Sequence, residues 1–225
     1  MSHKGGVLKR MLRHYSPQIR SRGNLIKHFA KKVGLVYFGS VDQHDDDQAL
    51  IRGLTVSTTH QDTHYAVGSF NGYDISLVDR FDVISDASHK PSEHSWLILQ
   101  VSLTSASLPH IFLKPKGHSP ESYNKFFTAF HSVSVVNDLL DSSHTREFHG
   151  RYEVYSLASR AAEFETLFSP AITSTIAARF WPHAIEIFEG NLYLYITEHR
   201  LQETMLGATL EAATWLASVL DTRED

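Results

Sequence analysis

Apolar positions recur along this chain with two periods, and the switches between them outline its elements. Residues 7–15 place Val7, Leu8, Met11, Leu12 and Tyr15 on one side of a helix and Lys9, Arg10, Arg13 and His14 on the other. Ser16-Pro17 ends that pattern, because the residue before a proline is pushed out of the α region. Residues 25–33 repeat the design position by position, with Leu25, Ile26, Phe29, Ala30 and Val33 opposed to Lys27, His28, Lys31 and Lys32. Asn24 is the expected N-cap of this second helix and Gly34 its stop.

From residue 35 the period shortens. Val36-Tyr37-Phe38 reads as a short strand, and residues 42–47 as an acidic polar loop before a brief helix near 48–52. Asn71-Gly72, between Tyr65–Phe70 and Tyr73–Val78, is a strong hairpin signal, since a type I′ turn needs positive φ at both central positions. Residues 96–103 alternate as a buried strand, Leu97, Leu99, Val101 and Leu103 on one face and Trp96 and Ile98 on the other. Another strand is expected at His110–Leu113.

Ser119-Pro120 opens a predicted helix carrying Tyr123, Phe126, Phe127 and Phe130, and Ser169-Pro170 opens another carrying Ile172, Ile176 and Phe180. Between them the pattern gives a strand at 151–155 and a helix over 158–168 facing inward with Ala161, Phe164 and Phe168. A second hairpin joins 184–188 to 192–196 through Glu189-Gly190-Asn191. The closing helix is expected to turn Leu201, Met205, Ala208, Ala212, Trp215, Leu216 and Val219 to one side.

Hairpins and grouped helices make the class α+β, an antiparallel sheet packed against several helices. The expected organisation is a basic helical segment over 1–34 and an α+β domain over 35–225. A polar stretch at 138–146 suggests a meeting point of two similar-sized halves of that domain.

Composition changes this picture at two places. The net charge of −4 over 225 residues hides an asymmetry: residues 1–34 hold nine Lys/Arg and no acid, leaving 12 Lys/Arg against 25 Asp/Glu in the rest. A +9 head therefore precedes a −13 body. There is no cysteine, which excludes disulfides, thiolate nucleophiles and Cys-ligated zinc. No apolar run reaches the roughly 20 residues of a spanning helix, and the N-terminus lacks the apolar core of a secretory signal.

Fifteen histidines make metal chemistry the first catalytic candidate. His60, Asp62 and His64 have helical chelate spacing, yet their β-branched surroundings read as strand, where i and i+4 lie ~13 Å apart. Asp45–Asp47 lie in an oxygen-rich loop that lacks the glycine and terminal acid of an EF-hand; a solvated loop is the plainer reading. Gly68-Ser69-Phe70-Asn71-Gly72 has the wrong spacing for a nucleophile elbow, and no phosphate-binding glycine loop occurs. No cofactor is expected, and the balance leans against an enzyme.

The basic head (Lys4, Lys9, Arg10, Arg13, Arg20, Arg22, Lys27, Lys31, Lys32) suits an anionic membrane surface or an acidic protein partner. Nucleic acid is a weaker reading, because interleaved aromatics and base-reading motifs are missing. An organellar transit peptide would share the composition in a eukaryote. The structural alternative is that both apolar stripes pack on the body while the cations offset its charge.

Five segments occur in an order that resembles uncharacterised bacterial proteins of actinobacteria and Saccharibacteria-type lineages, which carry a domain of unknown function. They are Phe70–Ile75 running into Val78–Phe81, Leu108–Pro115, Phe148–Tyr155, Leu167–Pro170 and Ile185–Tyr195. The resemblance implies an α+β body with antiparallel sheet and no known catalytic residues. Many such proteins look membrane-tethered through hydrophobic helices; here basic amphipathic segments stand instead. The sequence thus predicts a cytoplasmic, non-enzymatic binding or scaffolding protein, peripheral to the inner face of a membrane through its N-terminus. A metal-dependent hydrolase using His60, His64 and Asp45–Asp47 is the alternative.

Overall fold

A computed structural model describes residues 17–39, 61–85, 91–105, 107–117, 132–197 and 201–222. The helices expected at 7–15, 48–52 and 119–130 lie outside these residues. Within them, nine strands form a single antiparallel sheet in the order β1-β2-β3-β4-β9-β8-β5-β7-β6. The strands are β1 Val36–Gly39, β2 Gln61–Phe70, β3 Tyr73–Ser85, β4 Pro91–Ser102, β5 Ile111–Pro115, β6 Val133–Val135, β7 Tyr152–Leu157, β8 Ala184–Phe188 and β9 Asn191–Ile196. Five helices accompany them: α1 Pro17–Lys32, α2 Arg146–Arg151, α3 Ala161–Leu167, α4 Pro170–Phe180 and α5 Glu203–Asp221. The α+β class read from the pattern is the class observed.

Strands from the two sides of residues 138–146 interleave. β4 pairs with β9, and β5 lies between β7 and β8, so both sides of that stretch share one sheet.

All five helices bury apolar side chains against one face of the sheet. Ile26, Phe29 and Ala30 of α1, Phe148 of α2, Phe164 of α3, Ile176 and Phe180 of α4, and Leu206, Leu210, Leu216 and Leu220 of α5 meet Leu77, Leu97, Leu99, Val101, Ile185 and Leu194. Alternation along the strands sends Val78, Trp96, Ile98, Phe112, Tyr193 and Tyr195 to the other face, where they form a smaller cluster.

Local chemistry accounts for the turns. Asn71 (φ +50°) and Gly72 (φ +85°) take left-handed conformations in the β2–β3 turn, as do Glu189 (φ +47°) and Gly190 (φ +70°) between β8 and β9. α1 ends on a Schellman motif: Leu35 N–H donates to the Ala30 carbonyl and Gly34 N–H to Lys31, with Gly34 at φ +82°.

Three expectations are corrected. Pro17 stands in the first turn of α1, where no helical partner exists for the missing N–H, while the 7–15 helix it is expected to end lies outside the described residues. Asn24 consequently lies inside the helix and caps nothing. α2, unforeseen, starts where the Thr145 side chain accepts the Phe148 N–H. On α5 Ala212 and Leu216 are buried as expected, but Ala208 is exposed, Met205, Trp215 and Val219 are only partly buried, and Leu206, Leu210, Ala213, Ala217 and Leu220 carry the rest of the buried face.

Candidate functional site

α1 carries the described part of the basic head, and its packing decides what that head can touch. Ile26 and Ala30 are fully buried and Phe29 nearly so, with Leu25 and Val33 packed beside them. The apolar stripe is therefore spent on the core and leaves no face for insertion into a bilayer. What remains outward is the polar face, where Lys27, His28, Lys31 and Lys32 are all exposed.

These cations are held differently. Arg22 turns inward and grips Asp79 of β3, Nε donating at 2.8 Å and Nη2 at 2.8 Å to the two carboxylate oxygens. Arg22 is thus a tether between α1 and the sheet. Lys32 Nζ and His28 Nδ1 both bond Glu203 at the start of α5, at 2.5 and 2.8 Å. The Lys32 hydrogen bond, then that of His28, holds the Glu203 carboxyl below its usual range. Lys27 Nζ stands 5.9 Å from the centre of the Tyr37 ring, whose hydroxyl is pushed up by burial and then by Asp79. Lys31 points to solvent. Arg20 lies on α1, though its side chain is outside the described residues, as are Lys4, Lys9, Arg10 and Arg13 altogether.

Of the expected metal ligands, Asp62 and His64 are described, and the two are not brought together. Asp62 Oδ1 and Oδ2 each accept from Arg80, from Nε and Nη2 at 2.7 Å, and both side chains are 1% exposed. Asp79 faces α1, so its neighbour Arg80, and Asp62 with it, lie on the opposite sheet face. His64 is on the helix side, in a β-bulge at φ +56°, with Nδ1 bonded to the Tyr37 hydroxyl at 2.6 Å. His60 and Asp45–Asp47 lie outside the described residues, among which no group of three or more potential ligands occurs.

Two polar clusters had no signal in the sequence, because their members are far apart along it. In one, His144 bonds Thr173 Oγ1 through Nδ1 at 2.9 Å and Glu165 through Nε2 at 2.8 Å. Hydroxyl, imidazole and carboxylate in a row look like a nucleophile relay. Thr173 is fully buried, however, and donates to the Pro170 carbonyl at 3.1 Å, so no substrate reaches it. Glu165 also accepts the Asp141 N–H at 2.7 Å, and the cluster fastens the loop before α2 to α3 and α4. In the other, buried Glu186 accepts the Tyr195 hydroxyl and bonds His110 Nε2 at 2.8 Å on the second sheet face.

A cavity of about 380 Å³ lies between α1 and α5, over the β2–β3 turn. Phe29, Val33, Phe70 and Leu210 line it, with Lys32, Glu203 and Glu211. No described helix is long and apolar enough to cross a membrane.

No protein-family model matches the chain, and no curated protein matches it either. Among solved structures, the chain is similar to the mycobacterial trehalose monomycolate transport factor A, TtfA, at 11% identity. The match covers 88% of this chain and 93% of that one with a TM-score of 0.59, a likeness of fold.

Proposed function

We propose that this chain is a non-enzymatic binding or scaffolding protein that associates peripherally with an anionic membrane through its basic N-terminal segment. The observation that carries the reading is the division of labour on α1. Its apolar stripe is buried in the core, while Lys27, His28, Lys31 and Lys32 are displayed outward next to a stretch that holds four more Lys/Arg and no acid. Such a surface gains up to ~1 kcal/mol per Lys/Arg near anionic lipid, without inserting.

Two further considerations support it. Among the described residues, His144 bonds buried Thr173 and His110 bonds buried Glu186, both as structural partners. The structural neighbour is named a transport factor. The resemblance in segment order to uncharacterised actinobacterial and Saccharibacteria-type proteins, many of which look membrane-tethered, agrees with this reading.

Co-sedimentation of the full chain with vesicles tests this reading. Binding to phosphatidylglycerol-containing vesicles at low salt, release at high salt and indifference to phosphatidylcholine vesicles are expected. Failure to bind the anionic vesicles, or binding to both kinds alike, overturns it.

A further inference from the structure

The cavity between α1 and α5 has an apolar floor and an acidic wall. Phe29, Val33, Phe70 and Leu210 make the floor, and Val33 and Phe70 are only half-buried there. Gly207 of α5 lines the same space, and a Cβ at that position would meet nothing within 4 Å. Glycine inside a helix costs propensity, while its bare backbone admits close approach by another chain. On the wall Glu203 is matched by Lys32 at 2.5 Å. Glu211 is exposed and has no ion pair among the described residues. α5 carries Glu203, Glu211 and Asp221 and no Lys or Arg, so the wall keeps a carboxylate in excess.

Charge and reach select a covering segment from the chain itself. Residues 40–60 carry four Asp and one Arg, and residues 118–131 one Glu and one Lys. Residues 1–16 carry Lys4, Lys9, Arg10 and Arg13 with no acid, and an apolar stripe over 7–15. That stripe repeats the pattern of 25–33, whose own apolar side chains pack into the core. From Pro17 to the level of Val33 is about 24 Å along α1. A helix over 7–15 with extended flanks spans about 35 Å, enough to run back along α1 to the cavity. In such a run Val7 and Leu8 come level with Phe29, and Lys4 with Val33 and the two glutamates.

We infer that residues 1–16 dock in the cavity between α1 and α5, with Val7 and Leu8 on its apolar floor and Lys4 beside Glu203 and Glu211. The floor offers the segment the burial that α1 already has, and Gly207 leaves room for its backbone. The excess carboxylate favours a basic occupant over the acidic and neutral segments. The docking goes beyond the membrane reading and does not depend on it. It closes the apolar stripe of 7–15 as that of α1 is closed, and leaves cations to meet whatever lies outside.

Limited trypsin digestion of the full chain tests it, with cleavage after Lys4, Lys9, Arg10 and Arg13 followed by mass spectrometry. Two variants disturb the cavity from positions that leave the fold intact: Gly207→Leu fills it where a Cβ meets nothing, and Glu211→Lys reverses the exposed charge. Each is expected to speed cleavage of the segment about tenfold, since cleavage follows the undocked fraction, while the urea midpoint does not fall. Equal cleavage rates in the parent and both variants overturn the docking. Protection in the parent that is lost on dilution overturns it too, because a second copy's segment would then be the occupant. Protection that only Gly207→Leu relieves overturns the charge pairing at Glu211. Vesicle binding is measured separately and bears on none of these outcomes.

Discussion

Gly23 of α1 lies directly against the imidazole of His64 in the β2 bulge. A Cβ at residue 23 would stand 2.4 Å from His64 Cε1 and 2.6 Å from Nε2. The ring has little freedom to yield, since its Nδ1 is bonded to the Tyr37 hydroxyl and its backbone is held at φ +56°. The two residues are 41 positions apart in sequence, and their contact sets how closely the basic helix approaches the sheet. Glycine in the middle of a helix costs roughly 1 kcal/mol of propensity, so this close approach accounts for its presence.

Gly23→Ala is therefore expected to destabilise despite the better helix former. Overpacking costs about 1–3 kcal/mol against the propensity gain of about 1 kcal/mol, for a net loss of about 1 kcal/mol. Urea unfolding measures it. Adding His64→Ala should remove the clash, so that Gly23→Ala becomes stabilising in that background. A stabilised single variant contradicts the contact.

The Asp62–Arg80 pair is expected to matter far more than a surface ion pair, because both side chains are 1% exposed. Asp62→Ala leaves a guanidinium buried without its bidentate acceptor, which costs about 3–5 kcal/mol. The measurement is the urea midpoint, with metal content determined alongside. Loss of stability at unchanged metal content is the expected result. Loss of a stoichiometric bound metal would restore Asp62 as a ligand.

His183 predicts an acid limb of stability. Burial lowers its imidazole to about 4 from 6.5, so between these values the unfolded chain binds a proton that the folded chain refuses. Stability is then complete above about pH 6.5 and falls as pH drops toward 4, by up to about 3 kcal/mol. His149, lowered mainly by burial and then by His144 and Lys116, acts in the same direction. Carboxyls held low, such as Glu163 beside Arg160, lose their contribution only below about pH 4.5. Urea unfolding at several pH values should show the fall beginning near pH 6.5, and His183→Leu should flatten most of it. An unchanged slope in that variant rules out His183 as its source.

Much of the fold was legible because local chemistry and tertiary structure agree there. Asn71-Gly72 demands its turn, residues 96–102 display both faces of a central strand, and Ser169-Pro170 opens α4 as expected. Asn24 misled as an N-cap because a proline reads as a stop after one helix or a start before another, and only packing of the residues after Pro17 on the sheet extends α1 back to it. α2 was missed because its one buried apolar side chain, Phe148, leaves no periodic stripe in a six-residue helix. The site was legible as charge but not as geometry. Nothing in the sequence tells Arg22, which grips Asp79, from Lys31, which faces solvent. Such pairings cross 57 residues and leave no local spacing.

That distinction supplies the most direct test of the membrane reading. Lys27 and Lys31 face outward on α1 and lie away from the Arg22–Asp79 tether. Lys27→Gln with Lys31→Gln should leave the urea midpoint unchanged and weaken partitioning of the full chain onto anionic vesicles about 30-fold, at about 1 kcal/mol per lysine. A variant that binds these vesicles as tightly as the parent would contradict the account.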